Sequence, residues 1–150
     1  MKKEPLITVI DLVEKLAKSP IDPEVRLQHA IGPEGADFGL HIANILPKTS
    51  LMPHFHTKGT ELYHVLEGAG LLHLGKISKD RAGNIIGVVW HEPIEVRKGH
   101  AFEIPPGYVH SFQNVSKKTL KFIFVCPANH MVTGGDRYMI PPEFHPKFRK

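Results

Sequence analysis

A chain of 150 residues with 41% hydrophobic and 23% charged residues has the size and composition of one globular domain with a full core. Its net charge of +4 comes from scattered lysines and arginines, with short clusters such as Lys117-Lys118 and the terminal Lys147 to Lys150. No basic stripe or helix-turn-helix pattern stands out, so no nucleic-acid partner is expected.

The 13 glycines and 13 prolines favour many short strands over long helices. The one cysteine, Cys126, has no internal partner and sits in an apolar run, so it reads as a small buried hydrophobe. A lone thiol fits a reducing compartment. The N-terminal apolar run Leu6 to Ile10 is broken by Asp11 too early for a signal-peptide core, and no stretch is long enough to span a membrane. A cytoplasmic protein without membrane attachment is the expectation.

Apolar Leu12, Val13, Leu16 and Ala17 recur at helical spacing, so one short N-terminal helix is expected over Thr8 to Ser19, ended by Pro20. Val25 to Ala30 reads as an edge strand and Ile31 to Asp37 as a loop. Phe38 to Leu46 reads as a further strand, followed by a turn over Pro47 to Ser50.

The stretch Met52 to Gly68 carries the chemistry. His54 and His56 are two residues apart and project from one face of a strand. Thr57-Lys58-Gly59-Thr60 reads as a hairpin loop, which places Glu61 across from His56 and Tyr63 across from His54. Two imidazoles and a carboxylate then form a donor set for a divalent transition metal.

After a glycine-rich turn, Leu71 to Ile77, Ile85 to Trp90, Ile94 to Val96 and His100 to Ile104 read as strands. Pro105-Pro106-Gly107-Tyr108 fits a type II turn. Val109 to Val115 and the strongly apolar Leu120 to Cys126 follow as strands. Residues 127 to 150 contain Gly134-Gly135 and four prolines and are expected to wrap the body or a neighbouring subunit. Strands at this spacing indicate an all-β sandwich or small barrel.

Two patterns now stand together. The first is His54-x-His56, four residues, Glu61, six residues, Gly68. The second is Gly99, five residues, Pro105-x-Gly107, two residues, His110, three residues, Asn114. Both spacings resemble the two signature motifs of the cupin superfamily, over about residue 40 to residue 126. The resemblance implies an all-β jelly-roll barrel in a single domain over 1–150, the barrel itself spanning about 36–127. It implies a metal held by His54, His56, Glu61 and His110, with Asn114 bonding within the barrel. His100 stands where many cupins carry an acidic residue; that position is not a ligand.

The cofactor implied is one divalent transition metal: iron, manganese, zinc, nickel or copper. Bound there, it would act as a Lewis acid on a small oxygenated metabolite, in an enzyme of oxygenase or isomerase type. A sensor that binds without turnover is the alternative. Tyr63 is the candidate proton shuttle or substrate hydrogen-bonding group, with packing as its other reading. Phe112, Phe122, Phe124 and His41 are the expected pocket lining. His91 is a further position to inspect, and His130 is placed among surface or core histidines. Pro105-Pro106, Pro127-Ala128 and Asp136-Arg137-Tyr138 also resemble a run in archaeal cupin-type glucose-6-phosphate isomerases. The shorter interval between the histidine pair and Glu61 keeps that activity from being carried over. Small cupins usually pair, so a homodimer is expected.

Overall fold

Residues 7, 9–34 and 37–150 are described by the computed structural model of the chain. Strand-length runs alternate in burial, as a closed two-layer β structure requires. Residues Leu120, Phe122, Phe124 and Cys126 all point inward from one strand, with Lys121, Ile123 and Val125 only half-buried between them. In chain order the elements are α1 (Leu12–Ala17), β1 (Ile21–Asp22), β2 (Leu27–Glu34), β3 (Gly39–Ile45), β4 (His54–Phe55), β5 (Glu61–Glu67) and β6 (Ala69–Lys79). Then follow β7 (Ile85–Trp90), β8 (Ile94–Arg97), β9 (Ala101–Ile104), β10 (Tyr108–Gln113), β11 (Leu120–Cys126) and β12 (Tyr138–Met139).

Two antiparallel sheets form the barrel. One has the order β1-β2-β3-β11-β5-β9; the other runs β12-β4-β10-β6-β7, with β8 also paired to β6. This is the jelly-roll barrel that the resemblance implied, with one short helix. Between the sheets lies an apolar core that includes Val65, Phe112, Leu120, Phe122 and Phe124. The helix starts at Asp11, whose side chain accepts a hydrogen bond from the Glu14 amide, the usual N-cap arrangement. Leu16 then buries against Ala30 and Ile42 on the outside of the first sheet. That contact explains why Ile42, facing away from the barrel interior, is itself buried.

Several expectations need correction. The helix is shorter than expected, Leu12–Ala17, and Thr8 lies outside the described residues. Strand β2 does not stop at Ala30. It continues to Glu34 through a register shift between Ile31 and Glu34, which accommodates Gly32-Pro33, and β1 rather than β2 forms the sheet edge. The largest correction concerns the histidine pair. β4 and β5 are not a hairpin: β4 pairs with β10 and β12, whereas β5 pairs with β11 and β9. His54 therefore lies opposite His110 in the ladder, not Tyr63. The loop between them carries the chain from one sheet to the other.

The turn at Pro105–Tyr108 forms as expected. Gly107 takes a φ of +85° and the Tyr108 amide donates to the Pro105 carbonyl. It reverses the chain between β9 in one sheet and β10 in the other. Asn114 bonds within the barrel, donating to the carbonyls of Ile45 and Lys118. The C-terminal segment wraps its own body: β12 adds to β4, and the Trp90 indole donates to the Phe144 carbonyl.

Candidate metal centre

Strand β4 contributes His54, the residue just past its end contributes His56, β5 opens with Glu61, and β10 contributes His110. All four side chains are buried. Each imidazole is oriented by a backbone carbonyl at Nδ1. His54 donates to Met52 at 2.7 Å, His110 to Tyr108 at 3.2 Å, and His56 to Asp136. Those bonds set the tautomer and leave each Nε2 as a lone-pair donor.

The Nε2 atoms of His56 and His110 have no hydrogen-bond partner among the described residues. They stand 3.4 Å from Glu61 Oε2 and 3.2 Å from Glu61 Oε1 respectively. Metal–ligand bonds of about 2.1 Å put neighbouring donors about 3.0 Å apart in an octahedral shell and about 3.4 Å apart in a tetrahedral one. The two spacings fall within that range, and ligand atoms of His54, His56 and His110 lie within 4.8 Å of one another, as do those of His56, Glu61 and His130. The Nε2 atoms are also buried without partners, an arrangement that otherwise costs about 1–3 kcal/mol each. The donor set thus fits a divalent transition metal.

Electrostatics agree. Burial, followed by the neighbouring His110 and His56, holds the His54 pKa well below its ordinary value, so the ring is neutral. Burial alone pushes the Glu61 carboxyl up, but the neighbouring His110, His130 and His56 rings outweigh it and keep the group ionised. Cys126, 1% exposed, remains a protonated thiol, its pKa raised by burial and then by Glu61.

Tyr63 donates its hydroxyl to Glu61 Oε1 at 2.8 Å, and its ring lies between Phe102 and Phe124. Burial and then the Glu61 charge raise its pKa, so the phenol holds its proton. A small cavity of about 10 Å³ borders His54, Glu61, Tyr63, Phe122, Phe124, Met131 and Arg137. That is room for about one water. Phe112 and His41, expected as lining, do not border it. Phe112 stands behind Phe122 at 5.4 Å, and His41 stacks on Phe124 at 4.7 Å. His91 is exposed on the surface. A larger open cleft of about 240 Å³ beside Glu95, Arg97, His100 and Arg149 holds none of the clustered donors.

His41 deserves a test of its own. It is 1% exposed, and neither ring nitrogen has a partner among the described residues. Burial, with His29 adding and Glu61 opposing, pushes its pKa down from 6.5 to about 4. Below pH 6.5 the unfolded chain takes up a proton that folded His41 refuses. Its stabilising contribution is therefore full above pH 6.5 and is lost as pH falls through about 4, a change of about 3 kcal/mol. Urea midpoints of the metal-free protein should fall more steeply over this window than those of His41→Leu. Parallel curves would contradict the assignment.

Sequence reasoning missed His130. It sits in the 3₁₀ turn Ala128–Met131, fully buried, with Nδ1 3.0 Å from Glu61 Oε2 and Nε2 2.6 Å from the Lys58 carbonyl. Burial alone lowers its pKa, but the bonds to Glu61 and Lys58 outweigh this and raise it. His56, Glu61 and His130 form a second donor triad overlapping that of His54, His56 and His110.

A small antiparallel barrel with a His/Glu cluster buried at one end defines a recognisable class of molecule. The family model described as a cupin domain matches residues 41–126, and the chain belongs to that family. Among proteins of curated function, none matches. Among solved structures, a double-stranded β-helix protein of Klebsiella pneumoniae shares 17% identity at a TM-score of 0.61, covering 81% of this chain and 90% of that one. The polyketide cyclase RemF of Streptomyces resistomycificus shares 21% at 0.59, covering 91% and 87%. A Cupin 2 conserved barrel protein of Salinispora arenicola shares 18% at 0.56, covering 88% and 92%. At these identities the likeness speaks for the fold.

Proposed function

We propose that this chain is a metal-dependent cupin enzyme of oxygenase or isomerase type, acting on a small oxygenated metabolite. In this reading His54, His56, Glu61 and His110 hold one divalent transition metal: iron, manganese, zinc, nickel or copper. The observation that carries the reading is the convergence of buried, unpartnered Nε2 atoms on the Glu61 carboxylate. A bound dication supplies Lewis acidity toward a substrate oxygen. Glu61 offsets one of its two charges. The Tyr63 hydroxyl gives its one proton to Glu61 at 2.8 Å and keeps its lone pairs to accept a hydrogen bond from a substrate beside the ion; donation to that substrate would require release of Glu61. Phe122 and Phe124 exclude water from that space. A substrate larger than one water needs part of that cavity's lining to yield. The shallow apolar groove of Leu62, Ala101, Ile123 and Val125 on the outer face of the first sheet supports pairing of two chains.

The test is turnover by metal-loaded protein. Oxygen uptake and sugar or hydroxy-ketone interconversion are followed over a substrate panel, with chelator-treated protein as control. Metal-dependent turnover is the expected result. A compound that raises the melting temperature without being converted, in a panel giving no turnover, would instead favour the sensor reading.

A further inference from the structure

We propose that His130 is a positioning residue for the Glu61 carboxylate, and that the C-terminal segment carrying it completes the metal centre. The inference rests on the metal reading above. The segment reaches the site at three points. His130 meets Glu61 Oε2 at 3.0 Å, and the Tyr63 hydroxyl donates to Oε1 at 2.8 Å. Both carboxylate oxygens are thereby held, and rotation of the group about its own axis is blocked. The His130 ring also lies flat on His56, with centroids 3.8 Å apart and planes within 1°, so neither ring turns alone.

Asp136 makes the second contact. Its carboxylate accepts from the Thr57 amide and hydroxyl and from the Lys58 amide, at 2.9, 2.7 and 2.9 Å, while its carbonyl receives the His56 Nδ1 proton. The loop that crosses between the sheets, from His56 to Glu61, is thus held at its start by Asp136. Its Lys58 carbonyl is held by His130. Pro127 makes the third contact: a Cβ added at Gly59, where φ is +79°, would come 2.6 Å from its Cγ. Beyond the site, Arg137 anchors the segment to Glu24 at 2.9 Å and to Asp22 at 3.4 Å. A segment docked merely for stability has no need to reach a ligand carboxylate, a ligand ring and the loop between them.

Cobalt(II) titration of the full chain, read by its visible absorption, tests this. Asparagine carries an amide near the position of imidazole Nδ1, whereas glutamine carries one near Nε2. His130→Leu is expected to bind cobalt about 10–100-fold more weakly, with an altered band, the range typical of lost outer partners. His130→Asn should recover most of the affinity and the wild-type band; His130→Gln should not. Wild-type binding by His130→Leu overturns the inference while the metal reading stands. So does equal behaviour of the Asn and Gln variants, which decides the matter if the Leu variant fails to fold. Loss of one nitrogen from the cobalt shell of His130→Asn, counted by X-ray absorption, would make His130 a ligand and overturn it too. If the wild type takes up no cobalt, the metal reading itself falls and the inference with it.

Discussion

Replacing His110 by alanine is expected to lower metal affinity by more than about 100-fold, beyond the loss seen for outer partners, while the barrel still folds. His110 is 1% exposed and stands on β10 directly opposite His54, their rings 4.4 Å apart. In the proposed centre it is the one donor of the four that comes from the second motif, so it would tie the two halves of the site together. Glu61→Gln should act in the same direction through a different cause, because it removes the one negative charge that offsets the cation. His64→Ala is the control: His64 lies on the same strand as Glu61 but is exposed on the outer face. Elemental analysis of each purified protein decides. Unchanged metal per chain in His110→Ala would remove the centre as described, whereas loss of metal in His64→Ala would point to a different site.

The residues that cluster here were legible because motif spacing is local, but the way they meet was not. Pairing His54 with Tyr63 and His56 with Glu61 assumes that consecutive strands lie side by side, which is the commoner arrangement. Here the loop over Thr57 to Thr60 crosses between sheets, and His54 finds its neighbour in His110 across the ladder. The His56–Glu61 approach survives because both flank that crossing at the same end of the barrel. His130 was not legible. It follows a proline in a turn-rich segment, and its meaning depends on contact with Glu61, 69 residues earlier. The only hint was a polar Asp136-Arg137 pair in that tail, and both prove buried, each tied to distant residues. β2 was cut short for a similar reason. Gly32-Pro33 reads as a breaker, yet the register shift beside it keeps the strand in the sheet.

Phe122→Ala is expected to lower stability by about 3–5 kcal/mol and the melting temperature by roughly 10 °C, with cobalt affinity retained within a few-fold. The ring is fully buried and surrounded by Phe112 at 5.4 Å, Tyr63 at 5.5 Å and Phe124 at 5.8 Å. Its ladder neighbours are Ala43 on one side and Val65 on the other. Small side chains on rigid strands cannot swing in to fill the space, so the void should persist and its lining lose dispersion contacts. That void would join the cavity beside His54, Glu61 and Tyr63, which Phe122 already borders. The four proposed donors, however, are held by Met52, Tyr108, Asp136 and His130 from outside β11, and only the Tyr63 bond to Glu61 comes from a residue packed on Phe122. Stability and metal binding should therefore separate: His110→Ala spares the first and loses the second, and Phe122→Ala does the reverse. Melting followed by circular dichroism, beside cobalt titration of the same samples, reads both. A melting temperature within 2–3 °C of wild type, less than about 1 kcal/mol for a domain of this size, would mean that the barrel interior relaxes around the lost ring.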